Sequence, residues 1–293
     1  MGPIGVLGLG LIGSALSRRL RDRGVPVIGY DRDTAKISAL EAIGVTGGRS
    51  PADVASRATQ VIIAVFDTSQ LEDVVEGRDG IVHARPKPRT VLSVVTGEPR
   101  RVAALAQRLT SHAIDLLETP LSGSSGQVQR GEATMFVGGR ADTTQLESGL
   151  LDVLATKWHH VGEVGMAGRT KLATNLILGL NRAALAEGLV FAKAVGLDPA
   201  KFLALVKGSA AYSQVMNIKG DRMLSGDFAP EGRIIQHAKD VGLIVAEAAA
   251  YGQRLPLSET HAALLADVIA AGEGDLDNAA IIRAIERARK EST

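Results

Sequence analysis

Residues 8–13, Gly8-Leu9-Gly10-Leu11-Ile12-Gly13, space three glycines as G-x-G-x-x-G. The pattern alone is common, but its surroundings here are specific. An apolar run, residues 4–7, precedes it, and helical spacing through Ile12, Ala15, Leu16 and Leu20 follows. Glycines at such a strand–helix turn let the backbone approach a pyrophosphate, and the helix start supplies unpaired N–H groups and partial positive charge. A second apolar run ends at Tyr30-Asp31, near the offset of roughly twenty residues at which a carboxylate meets the adenosine ribose. A carboxylate at Asp31 accepts hydrogen bonds from ribose hydroxyls and repels a 2′-phosphate, which favours NAD over NADP. Arg32 beside it could stack on adenine or meet a 2′-phosphate, so NADP is not excluded.

The elements that must hold this loop follow from patterning. Residues 4–7, 26–30, 61–65, 90–95 and 113–117 are short apolar runs separated by helix-like segments such as 53–58 and 100–110. Runs this apolar suit strands buried on both faces, and the alternation implies a parallel sheet. Residues 133–137 and 158–161 add further strands. After Gly165 the character changes. Residues 169–195 form one long helical pattern, stopped by Gly196 and followed by the helix-start pair Asp198-Pro199. The remainder is helical almost throughout, with breaks at Gly208, 220–230, 252–256 and 272–277. The expected architecture is therefore α/β: a Rossmann-type doubly wound domain over 1–164, then an all-α domain over 165–293 that includes the long connecting helix. The closing residues RARKEST read as a solvated tail.

Composition narrows the function. The chain has 293 residues, enough for two domains. Its net charge is +1 with neither half basic, and aromatic residues are only 3%, so phosphate tracking and base stacking on nucleic acid are disfavoured. Without cysteine there is no disulfide scaffold, Cys-ligated metal or Cys nucleophile. His112, His159, His160, His237 and His261 show no metal-ligand spacing and read as surface or packing residues, so no metal is expected. Residues 172–195 carry Asn175, Asn181, Arg182, Glu187 and Lys193, too polar a set for a membrane span. With no signal peptide in view, a soluble cytoplasmic protein is expected. Ser122 lacks the strand–elbow–helix context of a hydrolase nucleophile.

Four blocks resemble the β-hydroxyacid dehydrogenase family, which includes 3-hydroxyisobutyrate dehydrogenase and tartronate semialdehyde reductase. They are GLGLIGSALSRRL at 8–20, ETPLSGSSGQVQRGEATMFVGG at 118–139, GEVGMAGRTKLATN at 162–175 and FAPEGRIIQHAKDVGL at 228–243. They stand in family order and span nearly the whole chain. The resemblance implies an NAD(P)-dependent dehydrogenase or reductase acting on a small carboxylate-bearing alcohol in a cleft between domains. Lys171 matches the family's catalytic lysine, and Asn175 the asparagine that hydrogen-bonds the reacting oxygen. Their spacing of four puts both on one helical face. A lysine that gives and takes a proton suits hydride transfer, because charge develops on that oxygen. Ser122-Gly123-Ser124 matches the family's Ser-Gly-Gly, a hydroxyl and N–H cradle for a carboxylate, with Ser124 in place of the second glycine. Thr96 aligns with the hydroxyl residue beside the nicotinamide, while the preceding Ser93-Val94-Val95 departs from the family's Asp-x-Ser. Val65, Phe66 and Asp67 occupy the loop that covers the adenosine side in relatives. Lys239-Asp240 matches the family's Lys-Asp pair, with Lys239 reaching toward cofactor or substrate and Asp240 holding geometry.

Two departures bear on specificity. Gly232 stands where relatives often carry Phe, which loosens the pocket beside Arg233, a candidate second carboxylate anchor. Ala167 replaces a turn glycine. Relatives also imply a homodimer or homotetramer. Two other readings are an imine reductase, which shares the architecture but typically lacks the lysine, and a non-catalytic dinucleotide-binding module. Lys171 argues against the first, while Gly232 leaves room for it; retention of Lys171, Asn175 and the Ser-Gly turn together speaks against the second.

Overall fold

A computed structural model describes residues 2–288. Contacts divide the chain into two compact units, one ending at Lys171 and the other starting at Leu172. The first unit runs β1 Ile4–Leu7, α1 Leu11–Asp22, β2 Val27–Tyr30, α2 Thr34–Glu41, β3 Thr46–Gly47 and α3 Pro51–Ser56. It continues with β4 Gln60–Ile63, α4 Thr68–Glu76, β5 Thr90–Ser93, α5 Pro99–Thr110 and β6 Asp115–Glu118. Then come β7 Leu121–Ser122, α6 Ser125–Arg130, β8 Thr134–Gly138, α7 Ala141–Leu146, α8 Ser148–Leu154 and β9 Lys157–Gly162. Helix α9, Met166–Ala194, crosses the division. The second unit holds α10 Pro199–Lys207, α11 Val215–Ser225, α12 Ile234–Ala250, α13 Pro256–Ala270 and α14 Ile282–Arg287.

The sheet order is β3-β2-β1-β4-β5-β6-β8-β7, with β9 beside β8. Strands β1 to β6 pair in parallel, and β8 runs antiparallel to β6. The chain winds outward from β1 to β3 and then crosses back to β4, so the order reverses between β1 and β4. In such sheets a crevice opens at the carboxyl ends of the strands at this reversal. Both sheet faces are covered, as the apolar runs require. Val6, Ile62, Leu92 and Leu117 form one cross-strand row buried on the face that α1 and α8 cover. Leu7, Ile63, Val91 and Leu116 point the other way, against α3, α4 and α5. The core of the second unit gathers Leu185, Leu189, Leu203, Met223, Val241, Leu265 and Ile281.

Some elements differ from the patterned expectation. The long helix begins at Met166, three residues before the apolar spacing starts. Gly220 does not break a helix; it lies within α11, where a Cβ would stand 2.8 Å from Leu203, and the break comes at Gly226 in the left-handed region. Two short elements, β7 and α6, flank the Ser-Gly turn. By length and composition α9 could cross a bilayer, yet its Lys171, Asn175 and Arg182 side chains are buried in the protein. Of the closing tail, Arg287 ends α14, and residues 289–293 lie outside the described residues.

Candidate active site

The first loop leaves β1 at Leu7 and enters α1 at Leu11. Gly8 adopts φ +87°, and a Cβ there would stand 2.6 Å from the Ala64 carbonyl oxygen. At Gly13 a Cβ would fall 1.8 Å from the Gly8 carbonyl oxygen, so only glycine lets the helix pack this close to the turn. Gly10 is the opposite case: a Cβ would meet nothing within 4 Å. It is the N-cap of α1 and caps it with no side chain. The first-turn N–H groups of α1 thus face open ground with no acidic residue among them, the arrangement a pyrophosphate needs.

Asp31 follows β2 and turns back to this loop. Its Oδ2 accepts the Leu9 N–H at 2.7 Å, and its Oδ1 accepts the Asp33 N–H at 2.9 Å and Lys36 Nζ at 3.3 Å. The carboxylate is locked beside the glycine turn with lone pairs left for hydroxyl donors. Arg32 is exposed and paired with Asp73. That pairing directs the guanidinium to α4. The residues present fit an adenine dinucleotide of the NAD(P) type. Val65, Phe66 and Asp67 lie in the loop between β4 and α4 and are half-buried. Asp67 caps α4 through the Gln70 N–H, and Gln70 Oε1 in turn accepts the Phe66 N–H. Thr96 is half-buried beyond the carboxyl end of β5. Gly8, Asp31, Val65 and Thr96 thus all follow the carboxyl ends of parallel strands in one unit.

Ser122 ends β7, Gly123 is exposed, and Ser124 is the N-cap of α6. A reciprocal capping box ties Ser124 to Gln127. The Ser124 Oγ accepts the Gln127 N–H at 3.3 Å, and the Ser124 N–H donates to Gln127 Oε1 at 2.9 Å. The backbone donor expected of Ser124 is therefore already engaged by a side-chain amide. A Cβ at Gly123 would stand 2.8 Å from that of Ala133, so the turn tolerates no larger residue there.

Lys171 lies in the second turn of α9 and is buried. The turn before it is pinned by a carboxylate with no place in the patterned reading. Glu118, at the end of β6, is 1% exposed, and its Oε2 accepts the Gly165 N–H at 2.8 Å. Ala167, the residue in place of a turn glycine, fits fully buried against Gly138.

In the second unit, Asn175 is buried one turn past Lys171 on the same helix. Its Nδ2 donates to Asp240 Oδ2 at 2.9 Å, and Lys239 Nζ stands 3.0 Å from Asp240 Oδ1. Asp240 thus holds both an amide and an ammonium group. Arg233 is exposed, is the N-cap residue of α12 and faces Asp275 at 3.6 Å. Gly232 has Asn278 Nδ2 as the one group a Cβ would approach, at 3.1 Å.

His237 and His261 are packing residues. Both are buried, with ring centroids 5.0 Å apart, and Gly179 of α9 lies so close that a Cβ would stand 2.7 Å from each ring. Burial, with the Arg182 charge adding, pushes His261 down to about 4. An unfolded histidine titrates near 6.5, so as pH falls from 6.5 to 4 the unfolded chain takes up this proton first. Stability is therefore expected to decline across that window, and His261→Leu should flatten the decline. Thermal unfolding midpoints recorded from pH 7 to 4 test this. An unchanged slope in the variant would assign the decline elsewhere. Among the described residues no group of acidic or histidine side chains could hold a metal.

Known proteins resemble the chain along both units. Residues 3–162 match the family described as the NAD binding domain of 6-phosphogluconate dehydrogenase. Residues 165–285 match the family described as NAD-binding of NADP-dependent 3-hydroxyisobutyrate dehydrogenase. The 2-hydroxy-3-oxopropionate reductase of Escherichia coli (strain K12) is 29% identical over 287 residues, covering 97% of each chain. A solved structure of Mycobacterium tuberculosis 3-hydroxyisobutyrate dehydrogenase with L-serine superimposes with a TM-score of 0.85 at 25% identity, over 97% of this chain and 99% of that one. An imine reductase from Pseudomonas sp. reaches a TM-score of 0.67 at 23% identity, over 97% of this chain and 99% of that one, a likeness of fold alone.

Proposed function

The chain belongs to the β-hydroxyacid dehydrogenase family, that of 3-hydroxyisobutyrate dehydrogenase, and on that premise we propose that it interconverts a small β-hydroxy acid and its semialdehyde or keto form, with NAD(H) preferred. It is an NAD(P)-dependent oxidoreductase of the CH–OH type. The observation that carries the finer reading is the buried lysine of α9, one turn before a buried asparagine tied to a carboxylate. Bound nicotinamide supplies or accepts the hydride at the carbon bearing the reacting oxygen. Lys171 gives that oxygen a proton in reduction and takes it in oxidation. Asn175, oriented by Asp240, directs its remaining amide hydrogen to the same oxygen. Ser122 and the Gly123 N–H bind the carboxylate. Because charge develops on the oxygen during hydride transfer, a preset donor stabilises the transition state more than the ground state.

NADH oxidation against a panel of small carboxylate semialdehydes tests the activity. Turnover on at least one member is expected. Tight NADH binding with no turnover on any would return the chain to a non-catalytic dinucleotide-binding role.

Cofactor preference rests on Asp31 and on the engagement of Arg32 by Asp73. Asp31→Asn is expected to weaken NADH binding by about 10-fold, the worth of roughly one charge-assisted hydrogen bond. The same change should leave NADPH binding equal or stronger. Fluorescence titration with both nucleotides measures it, and wild-type protein binding NADPH as tightly as NADH would contradict the assignment. The active form is proposed to be a homodimer or homotetramer, in which a second copy would cover the apolar residues that the second unit exposes, among them Ile177 and Phe191 of α9 and Val195 just after it.

A further inference from the structure

Glu118 is the most deeply buried acidic group of the first unit outside the proposed chemistry, and its surroundings are built around it. Its Oε2 accepts the Gly165 N–H at 2.8 Å. Its Oε1 lies against Gly168, where a Cβ would stand 2.5 Å away. Gly165 itself adopts φ +100° to deliver its N–H. Both glycines are thus shaped to the carboxylate. Burial raises the Glu118 carboxyl, and the N–H groups of Gly168, Gly165 and Ala167 with the Arg169 charge pull it back. These N–H groups belong to the turn before α9 and to its first turn, where a helix leaves donors unpaired and favours negative charge.

The two ends of this contact matter. Glu118 closes β6, and only Thr119 and Pro120 separate it from β7, which ends at Ser122. Gly168 lies three residues before Lys171 on α9. One side chain therefore fastens the strand that leads into the Ser-Gly turn to the helix end that carries the lysine. The contact closes over 47 residues of chain, so no local turn does this job. Ser93 pairs with Glu118 in the β5–β6 register and is fully buried beside it.

We propose that Glu118 is a positioning residue for the reaction: its carboxylate sets the reach of Lys171 toward a carboxylate-bearing substrate held at Ser122 and Gly123. The proposal rests on Lys171 being the proton donor and acceptor. Reach and charge make opposite demands, which separates positioning from an electrostatic role. Gln keeps the length and one acceptor but loses the charge; Asp keeps the charge but falls a methylene short.

The test compares Glu118→Gln, Glu118→Asp and Gly168→Ala with wild type by steady-state kinetics, NADH titration and amide hydrogen exchange over residues 165–171. A displacement near 1 Å costs about 100-fold in rate, so Glu118→Asp and Gly168→Ala are expected to lose about 30- to 100-fold in kcat. Glu118→Gln should lose less than 10-fold, because one hydrogen bond to Gly165 survives. NADH affinity should stay within about twofold in all three, since the glycine loop is untouched. Exchange over 165–171 should quicken in the Asp and Ala variants and elsewhere stay as in wild type. If Asp retains more activity than Gln, the role is electrostatic and the proposal falls. Unchanged kcat in Asp and Ala, with or without faster exchange, also overturns it. A wild type that turns nothing over, or an active Lys171 variant, overturns instead the reading of Lys171 on which it stands.

Discussion

Lys171→Met is expected to bind NADH within about twofold of wild type and to lose about 10³-fold in kcat, within the range for removing a general acid or base. The expectation follows from where the side chain sits. Lys171 is 7% exposed, so it is not one of many surface ammonium groups that a neighbour could replace. It projects from the second turn of a helix whose start is fixed, and Met fills most of its volume without a proton to give. The loss should fall on kcat, because the lysine matters most where charge grows on the oxygen. Added primary amines of small size should restore part of the rate, with the restoration following amine basicity. Single-turnover hydride transfer, read as NADH absorbance, measures both effects. Full activity in this variant would remove the mechanism, and loss of NADH binding would show that the substitution had disturbed the fold.

The second large effect concerns stability. Asp277 is 0% exposed and accepts from Lys219 Nζ at 2.8 and 3.0 Å. It also accepts the N–H groups of Ala279 and Glu231 at 3.0 Å and of Gly232 at 3.3 Å. Burial would raise this carboxyl, but Lys219 and the N–H groups bring it below the ordinary carboxylate range. Burial likewise lowers Lys219, against the pull of Asp277. Removing one member of a buried hydrogen-bonded pair leaves the other charge unpaired, at about 3–5 kcal/mol. Asp277→Asn should therefore destabilise the second unit by about that amount, read from denaturant unfolding. The double variant Asp277→Asn with Lys219→Met should recover part of the loss, because the buried ammonium, left facing the more distant Glu231 carboxylate at 3.8 Å, is gone. A single variant within 1 kcal/mol of wild type would mean that the pair contributes little. The carboxylate also clamps the loop before α12, so the damage should extend to the position of Gly232 and Arg233.

Much of this architecture was readable from patterning because its causes are local. β1, β2, β4 and β5 are apolar on both faces, and runs such as Val61-Ile62-Ile63 advertise that directly. The glycine loop was equally legible, since the close approach of Gly13 to Gly8 permits no side chain. What escaped depends on distant partners. α9 starts at Met166 rather than at the onset of apolar spacing because Glu118, far back in the chain, satisfies the turn before it. Nothing in the sequence around Glu118 marks it as buried. α6 is short, and its capping box, Ser124 with Gln127, was the one signal it offered. The helical Gly220 looked like a breaker because its reason is the Leu203 side chain of another helix. Of the candidate site, the motif positions of Lys171, Asn175 and Asp31 are accessible in the sequence, whereas the contact of Glu118 with Gly165 and the pairing of Arg32 with Asp73 are not.

The capping box at the Ser-Gly turn has a consequence for recognition. The Ser124 N–H already donates to Gln127 Oε1, so any acceptor that arrives there exchanges one hydrogen bond for another. A neutral acceptor, such as an amide or ester carbonyl, gains almost nothing by the exchange. A carboxylate gains the difference between a charge-assisted bond and a neutral one, since the former is roughly twice as strong. At a turn proposed to hold a substrate carboxylate, the side-chain amide would act as a reference against which ligands are weighed, and the turn would select by charge rather than by the number of bonds it can offer.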